Sequence, residues 1–428
     1  MLYQKFHHNL SNLLEINAKS LAIAVSGGSD SIALLMLLHK WVAENNIKLF
    51  VMHIDHNLRE ESKLESQYVK ELTENLGHIY YAFSWDAKDN LSNLQERARE
   101  GRYKLITDSC LQLDILTLLT AHHQDDYIEN FCIRSERKSG IFGLSRSNVH
   151  FYNNIRILRP LHNIEKQELI DYLKENNIKW FEDHSNLSDK YHRNRVRKTL
   201  IAGSYNFKQN ILIKQQEVDN VVTKTLAPEF IGAVANSVII YSLGLARINL
   251  LDFVECTKEV RLQILNFVLM TISGNNNIPR SSGLINELIQ LEQRFTKTLH
   301  GCVLKTIGAN LLIYREFGKN PPLDIRLSAD IKWDKRFRFQ STQSVQNAYI
   351  TYLTMQDYIS IKDKLDLKEL SQLTMNNHFK VLFTLPVVKI LEKVLALPHI
   401  SYYDDSELVG KFRFSFEPSF ISRFLHFC

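Results

Sequence analysis

The 428-residue chain is most informative first in what it lacks. Its five cysteines, Cys110, Cys132, Cys256, Cys302 and Cys428, are odd in number, widely spaced and never arranged as C-x-x-C. That argues against disulfide scaffolds, zinc ribbons and iron–sulfur clusters, and fits a reducing compartment. No apolar run approaches the roughly 18 residues of a membrane span. The opening stretch, MLYQKFHHNLSNLL, has no signal-peptide core. A cytoplasmic protein without a membrane role is therefore expected. There is no internal repeat and no coiled-coil heptad, and H-E-x-x-H, G-x-G-x-x-G and a Walker loop closed by Lys-Ser/Thr are all missing. Neither sign of charge dominates: 52 Lys and Arg stand against 47 Asp and Glu, a net +5. Such a balance permits an anionic partner without requiring one.

What is present is an ordinary globular composition, 45% apolar and 23% charged, in a chain long enough for two to four domains. Its organising stretch is residues 21–31, LAIAVSGGSDS. Apolar residues from Leu21 to Val25 read as a strand, and Ile32 to Leu38 begin a helix. The turn between them leaves unpaired backbone N–H groups at a helix N-terminus. Gly27 and Gly28 allow φ > 0 and close approach of a ligand, and Ser26, Ser29 and Ser31 add hydroxyl donors beside Asp30. Phosphate is the natural guest. The plainer reading is a Gly-Ser turn capped by Asp30 or Ser31.

The same alternation continues downstream. Helices are expected over 2–18, 32–45, 61–76, 93–109 and 165–176, and strands over 21–25, 48–54, 80–84 and 114–120. Repeated strand and helix with polar motifs at strand ends predicts an α/β fold, a doubly wound parallel sheet with its site at the carboxyl edge. A break at GSYNF near residue 205 ends this catalytic domain, 1–205. A mainly helical domain, 206–318, is expected next, with helices over 207–227, 243–272 and 281–298 and short alternating strands around Cys302 to Arg315. After the linker-like GKNPPLD, residues 325–428 read as a small α/β or β-rich domain with one helix at 363–373.

Two further strand ends carry polar clusters. HIDHNLR, residues 53–59, follows the second strand: His53 can pack beneath a nucleotide, Asp55 can receive adenosine polar groups or help place a metal, and Arg59 can meet phosphate or RNA. AHHQDD, residues 121–126, sets two imidazoles beside two carboxylates. Asp126 lies four positions after His122, so both share a face if the helix has already begun. Mg²⁺ prefers oxygen to imidazole, which makes Asp30, Asp125 and Asp126 better metal candidates than the histidines. Arg193, Asn194 and Arg197, followed by Lys198, form a basic patch suited to phosphate or to developing negative charge. Each cluster alone could be a solvated turn or face.

In fixed order, however, these blocks resemble a known family. SGGSDS is similar to the S-G-G-x-D-S loop of the N-type ATP pyrophosphatases, the PP-loop superfamily. HIDHNLR, RARE-GRY with Arg97, Arg99, Arg102 and Tyr103, AHHQDD with Glu129, RPL at 159–161, Trp180-x-x-Asp183-x-Ser185-Asn186 and Arg193-Asn194-x-x-Arg197 narrow the resemblance to the tRNA(Ile)-lysidine synthase family. The match spans residues 20–200. Asn130 and Ser139 depart from the family's usual pattern. The resemblance implies a sheet of the adenine nucleotide alpha hydrolase type, ATP and Mg²⁺ as cofactors, and L-lysine and a tRNA(Ile) precursor with a CAU anticodon as partners. It implies a homodimer as one possible assembly. Its site residues carry over as Ser26, Gly27, Gly28, Ser29, Asp30, Ser31, His53 and Asp55 for the nucleotide. Asp30 and Asp126 carry over for metal, and Asp126, His122, Arg193 and Arg197 for catalysis. The implied activity is ligation of lysine to C2 of the wobble cytidine through an adenylate. The alternatives are another PP-loop tRNA-modifying enzyme or a non-catalytic RNA-binding protein.

Overall fold

A computed structural model describes the chain except for residues 15–17, 56–59, 85–93, 153, 183–191, 204, 276, 280–295, 318–321, 343–344, 375–377 and 419–428. It divides into two compact units, Met1–Val222 and Thr223–Cys428.

The first unit is built on a six-stranded sheet in the order β3-β2-β1-β4-β6-β5. Its strands are β1 (Ser20–Val25), β2 (Lys48–Asp55), β3 (Ile79–Ser84), β4 (Thr117–Leu119), β5 (Val149–Tyr152) and β6 (Ile155–Leu158). All neighbours pair in parallel except β5 with β6. The helices are α1 (Leu2–Leu13), α2 (Ser29–Asn45), α3 (Glu60–Asn75), α4 (Leu94–Gln112), α5 (Gln124–Glu136), α6 (Ile141–Leu144), α7 (Lys166–Glu175), α8 (His192–Ala202) and α9 (Tyr205–Val221).

Period-two alternation explains why both sheet faces are covered. Leu21, Ile23 and Val25 of β1 enter a core with Phe6 and Leu10 of α1, Leu34 and Leu38 of α2, and Leu169 and Leu173 of α7. Ala22 between them faces the other way, onto Met52, Ile106 and Cys110. Because β1, β4 and β6 are parallel, the segments that follow them, 26–28, 120–123 and 159–165, all leave the same carboxyl edge, the edge at which β2 also ends.

The second unit opens with α10 (Ala227–Ser237) and holds a five-stranded antiparallel sheet, β7-β8-β11-β10-β9. These strands are β7 (Val238–Tyr241), β8 (Leu245–Asn249), β9 (Thr296–Leu299), β10 (Cys302–Ile307) and β11 (Asn310–Arg315). The helices α11 (Leu250–Glu255) and α12 (Lys258–Ser273) lie between β8 and β9 in sequence. A second sheet orders β12 (Ile325–Arg326), β15 (Ala348–Tyr352), β16 (Pro386–Ile390), β17 (Lys393–Leu397) and β18 (Tyr402–Tyr403). A third orders β13 (Asp330–Trp333), β14 (Phe337–Ser341) and β19 (Phe412–Phe416).

Several expectations change here. The first compact unit runs to Val222, so α9 stays with it beyond the GSYNF break. The helix expected over 243–272 begins as strand β8, since a short apolar run such as LARIN fits strand and helix equally and pairing with β11 decides it. The helix expected over 281–298 lies outside the described residues up to 295, and Thr296–Leu299 is strand. Residues 363–373 split into a 3-10 turn, Lys362–Lys364, and a helix, Lys368–Thr374. Among the described residues no helix is long and apolar enough to cross a membrane.

One buried group makes the second unit sensitive to acid. His399 packs against the rings of Phe337 and Phe414, at centroid distances of 5.0 and 5.4 Å, and neither ring nitrogen has a hydrogen-bond partner. Burial, then the nearby Arg336 charge, push its pKa down to about 3. The unfolded chain takes up this proton below about 6.5, whereas the folded unit refuses it until about pH 3. Stability is therefore fully present above pH 6.5 and drains away as pH falls toward 3. His399→Phe should flatten that slope in thermal unfolding scans between pH 7 and 4. An unchanged slope would show that other groups govern it.

Candidate active site

Strand β1 ends at Val25, and the chain turns through Gly27 at φ +82°, a conformation that a side chain would strain. Gly28, extended at φ −72° and ψ 160°, caps α2 without any side-chain bond to the helix. The loop is braced from within by Ser31. Its hydroxyl donates to the Gly28 carbonyl at 3.0 Å and accepts the Ser26 N–H at 3.1 Å. Ser29 donates to Asp30 Oδ1 at 3.1 Å. From outside, Phe181 N–H donates to the Gly27 carbonyl at 3.0 Å, which ties the loop to the chain segment beginning at Trp180. The uncapped first turn of α2, with Ser26 exposed beside it, is an anion seat.

Beside the seat lies a knot of charge centred on His123, which is only 2% exposed. His123 Nε2 stands 3.4 Å from Asp30 Oδ2 and 3.6 Å from Asp126 Oδ2, while Nδ1 faces Asp125 Oδ2 at 3.6 Å. Burial opposes charge on this ring, but Asp125, Asp30 and Asp126 outweigh it and push its pKa up to about 10. The carboxylates respond in kind. Burial alone would raise Asp30, yet His123 and Lys166 hold it below the usual range. Asp125 is held lower still, against the same burial, by His123, the Lys166 N–H at 2.9 Å and Lys208 at 3.7 Å. Lys166 Nζ also lies 3.7 Å from Asp30 Oδ2. Asp125 also lines a cavity of about 230 Å³, together with Gln124, Glu165, Lys208 and Gln209 among others.

The third part is a buried carboxylate with two arginines. Glu129, 2% exposed, accepts from Arg193 Nε at 2.7 Å and from Arg197 Nε and Nη2 at 2.6 and 3.2 Å. Arg193 Nη2 reaches on to Asp126 Oδ1 at 2.6 Å. Arg197 is partly buried, which alone would lower its pKa, but Glu129 raises it above the ordinary guanidinium value. These bonds use Nε and Nη2 of both side chains, leaving the two Nη1 groups outside the clasp.

The loop residues Ser26, Gly27, Gly28, Ser29, Asp30 and Ser31 thus lie together with Asp126, through Asp126 with Arg193, and through Arg193 and Glu129 with Arg197. His53 sits beneath this edge, buried, with Nδ1 donating to the Val25 carbonyl at 2.9 Å and its ring stacked near Tyr80. Of Asp55 only the backbone is described; it ends β2 in register with Ser84. Arg59, Asp183, Ser185 and Asn186 lie outside the described residues, as do the side chains of Arg97 and Arg99.

The helical face expected to join His122 to Asp126 does not form. Helix α5 begins only at Gln124, with His123 as its cap, so His122 does not share a helical face with Asp126. Its Nδ1 bonds to Thr120 Oγ1 at 3.0 Å instead. The imidazole that gathers the acids is His123, and the signal for it was its place one residue before an acidic first turn. Lys166, with its Nζ on Asp30 and its N–H on Asp125, and Lys208, the cation on Asp125, belong to no motif and so carry no signal in the sequence.

Two carboxylates, Asp30 and Asp126, flank one nitrogen of His123, and among the described residues no group of three or more His, Cys, Asp or Glu side chains forms a metal-binding set. An oxygen-only pair of this kind suits a hard cation whose remaining ligands come from phosphate and water.

Comparison with known proteins shows what the chain is similar to. Residues 2–203 match the family model described as a PP-loop domain. A tRNA(Ile)-lysidine synthase of Rickettsia felis is 50% identical over 432 residues, covering 100% of both chains. Those of Rickettsia prowazekii and Rickettsia bellii (strain RML369-C) are each 51% identical, over 432 and 431 residues, again with 100% of both chains covered.

Proposed function

The chain belongs to the tRNA(Ile)-lysidine synthase family, and from that premise we propose how its residues divide the work. The reaction is an ATP-dependent ligation of L-lysine to C2 of the wobble cytidine, position 34, of tRNA(Ile) with a CAU anticodon. The cytidine O2 attacks the α-phosphorus, and the bond to the β-phosphate breaks with release of diphosphate. The lysine amine then attacks C2, the C2–O bond breaks, and AMP leaves. The observation that carries the reading is that the loop helix and the acid cluster converge on one atom, His123 Nε2, 3.4 Å from Asp30 and 3.6 Å from Asp126.

Ser26 to Ser31 hold the departing diphosphate through backbone N–H groups and hydroxyls, where fixed donors stabilise developing charge. Asp30 and Asp126 are the residues that would hold Mg²⁺, which would supply neutralisation of the triphosphate charge there. His53 supports the nucleotide from below and Asp55 lies toward its adenosine end. Arg193 and Arg197 direct their remaining N–H groups at the reacting phosphate or the RNA. Asp126 orients the amine, which must arrive neutral, and its proton passes to a neighbouring carboxylate or to His122. A sheet of the adenine nucleotide alpha hydrolase type, a cytoplasmic location and a homodimer belong to the same reading.

A tRNA thiolase of the same superfamily is the second reading, and it fits poorly with the thiols. Cys110 is buried and pushed up to about 12 by that burial, so it makes a poor sulfur carrier. The deciding assay supplies radiolabelled L-lysine, Mg-ATP and tRNA(Ile) transcript. Label should enter the tRNA with one AMP released per lysine, and absence of label with a competent tRNA would overturn the assignment.

A further inference from the structure

A second cluster at the same sheet edge lies outside the machinery described so far. Arg159 follows β6 directly, and its guanidinium lies 6.0 Å from the centroid of the Tyr127 ring. Arg146 approaches the same ring at 5.8 Å. Tyr127 is buried, donates its hydroxyl to the Ser147 carbonyl at 3.1 Å, and follows Asp126 in α5.

The two arginines are held differently. Arg146 is fastened to α9: its N–H donates to Asp219 Oδ1 at 2.6 Å, Ser145 Oγ donates to the same oxygen at 3.1 Å, and Nε faces Oδ2 at 3.1 Å. Arg159 has no such acid among the described residues, and its Nε is shut from water without a hydrogen-bond partner. Arg159 as a whole is half-buried, and a guanidinium partly withdrawn from water beside no acid is a seat for an anion. The neighbouring side chains do not supply that charge. Asn148 is neutral, its Oδ1 buried and unpartnered, and His162 donates Nδ1 to the Arg159 carbonyl at 3.2 Å.

The surroundings select the kind of anion. From the last turn of α5 to Arg146 run Arg134, Arg137, Lys138 and Arg146 against one acid, Glu136, and the first three are exposed. Arg134 Nη1 donates to the Gly143 carbonyl at 2.6 Å, which folds this basic stretch back along α6 toward Arg146. A lone carboxylate needs one pair of donors, whereas a strip of cations leading to a half-buried guanidinium suits a strand of phosphates.

Resting on the proposed reaction, we propose that Arg159 and Arg146, clasping Tyr127, bind a backbone phosphate of the RNA strand that carries the reacting cytidine, and that Arg137 and Lys138 extend this track outward. The nucleotide loop follows β1 and Arg159 follows β6, with β4 and its acids between them. ATP and RNA thus approach Asp126 from opposite sides along one sheet edge.

The test is equilibrium binding of the full chain to fluorescent tRNA(Ile) transcript across a salt series, without ATP or lysine. Arg159→Ala should weaken binding by about tenfold and lower the slope of log K against log salt by about 0.7. The surface pair Arg137→Ala/Lys138→Ala, where folding is not at stake, should lower the slope by about 1.4. KM for ATP and for lysine should stay put in all variants. Unchanged slope and affinity overturn the proposal. So does a rise confined to the lysine KM, which would make the anion the amino acid's carboxylate. Should Arg159→Ala fail to fold, the surface pair decides. Binding is read without catalysis, so a wild-type chain that binds the tRNA but transfers no lysine would sink the proposed reaction and leave this track standing.

Discussion

Glu129→Ala cuts lysine transfer by about two to three orders of magnitude, the size of loss seen when an oriented donor is removed from a reacting charge. The carboxylate is the shared acceptor of both arginines, taking Arg193 Nε at 2.7 Å and Arg197 Nε at 2.6 Å. Without it two guanidiniums confront each other with only Asp126 between them, and Asp126 is drawn toward Arg193 and away from His123. The cost in stability is smaller, about 1–3 kcal/mol, because Arg193 and Arg197 keep 36% and 27% of their side-chain exposure and water can take up part of the charge. Glu129→Gln keeps the shape and should fall between wild type and alanine. Single-turnover lysine incorporation at saturating ATP and tRNA measures this. Retention of activity within about tenfold in the alanine variant would show that the clasp is structural rather than functional.

Arg336→Ala unfolds the second unit at much lower denaturant, with a loss of about 3–5 kcal/mol. The side chain is fully buried. Its Nε donates to Asp334 Oδ2 at 2.8 Å and its Nη2 to the Thr384 carbonyl at 3.0 Å, and the guanidinium lies 5.0 Å from the Phe337 centroid. It joins the β13–β14 turn to the chain entering β16, so its loss opens a cavity and strands Asp334 with a long contact to Arg315 at 3.5 Å. Gly274, at φ +69°, exists because a Cβ there would come within 2.9 Å of Arg336 Cγ. Hydrogen exchange along Phe337–Ser341 localises the effect. Protection equal to wild type in Arg336→Ala would mean the aromatic core alone holds these sheets. Arg336→Met, which keeps the packing, should recover part of the loss.

The parts of this protein that a reader could find in the residues alone are those governed by neighbours in sequence. The strand-turn-helix around Ser26–Ser31 follows from an apolar run, two glycines and a helical pattern within a dozen residues. The sheet follows from repetition of that unit, with β3, β2, β1, β4 and β6 pairing in parallel, while the antiparallel edge strand β5 was not expected. Boundaries were less secure wherever an apolar run was short. Residues 245–249 fit either period, and only pairing with β11 made them a strand.

Chemistry between distant segments was a different matter. That Asp30, Asp125 and Asp126 would be acids of one crevice was written in the order of the motifs, but which histidine holds them depended on where α5 starts, a one-residue question of register. That Arg193 and Arg197 would be basic neighbours was plain, yet their shared partner lies 64 and 68 positions earlier and is chosen by the packing of α5 against α8. Arg336 and His399 carry no signal in their own surroundings, and the RPL block shows Arg159 without its partners, since an arginine or histidine reads as surface until folding removes the water. Local steric and hydrophobic rules thus determined the nucleotide loop and the sheet that carries it. The pairing of buried charges was decided only by the folded chain, because an ion's energy depends on what stands within a few ångströms of it, wherever in the sequence that neighbour comes from.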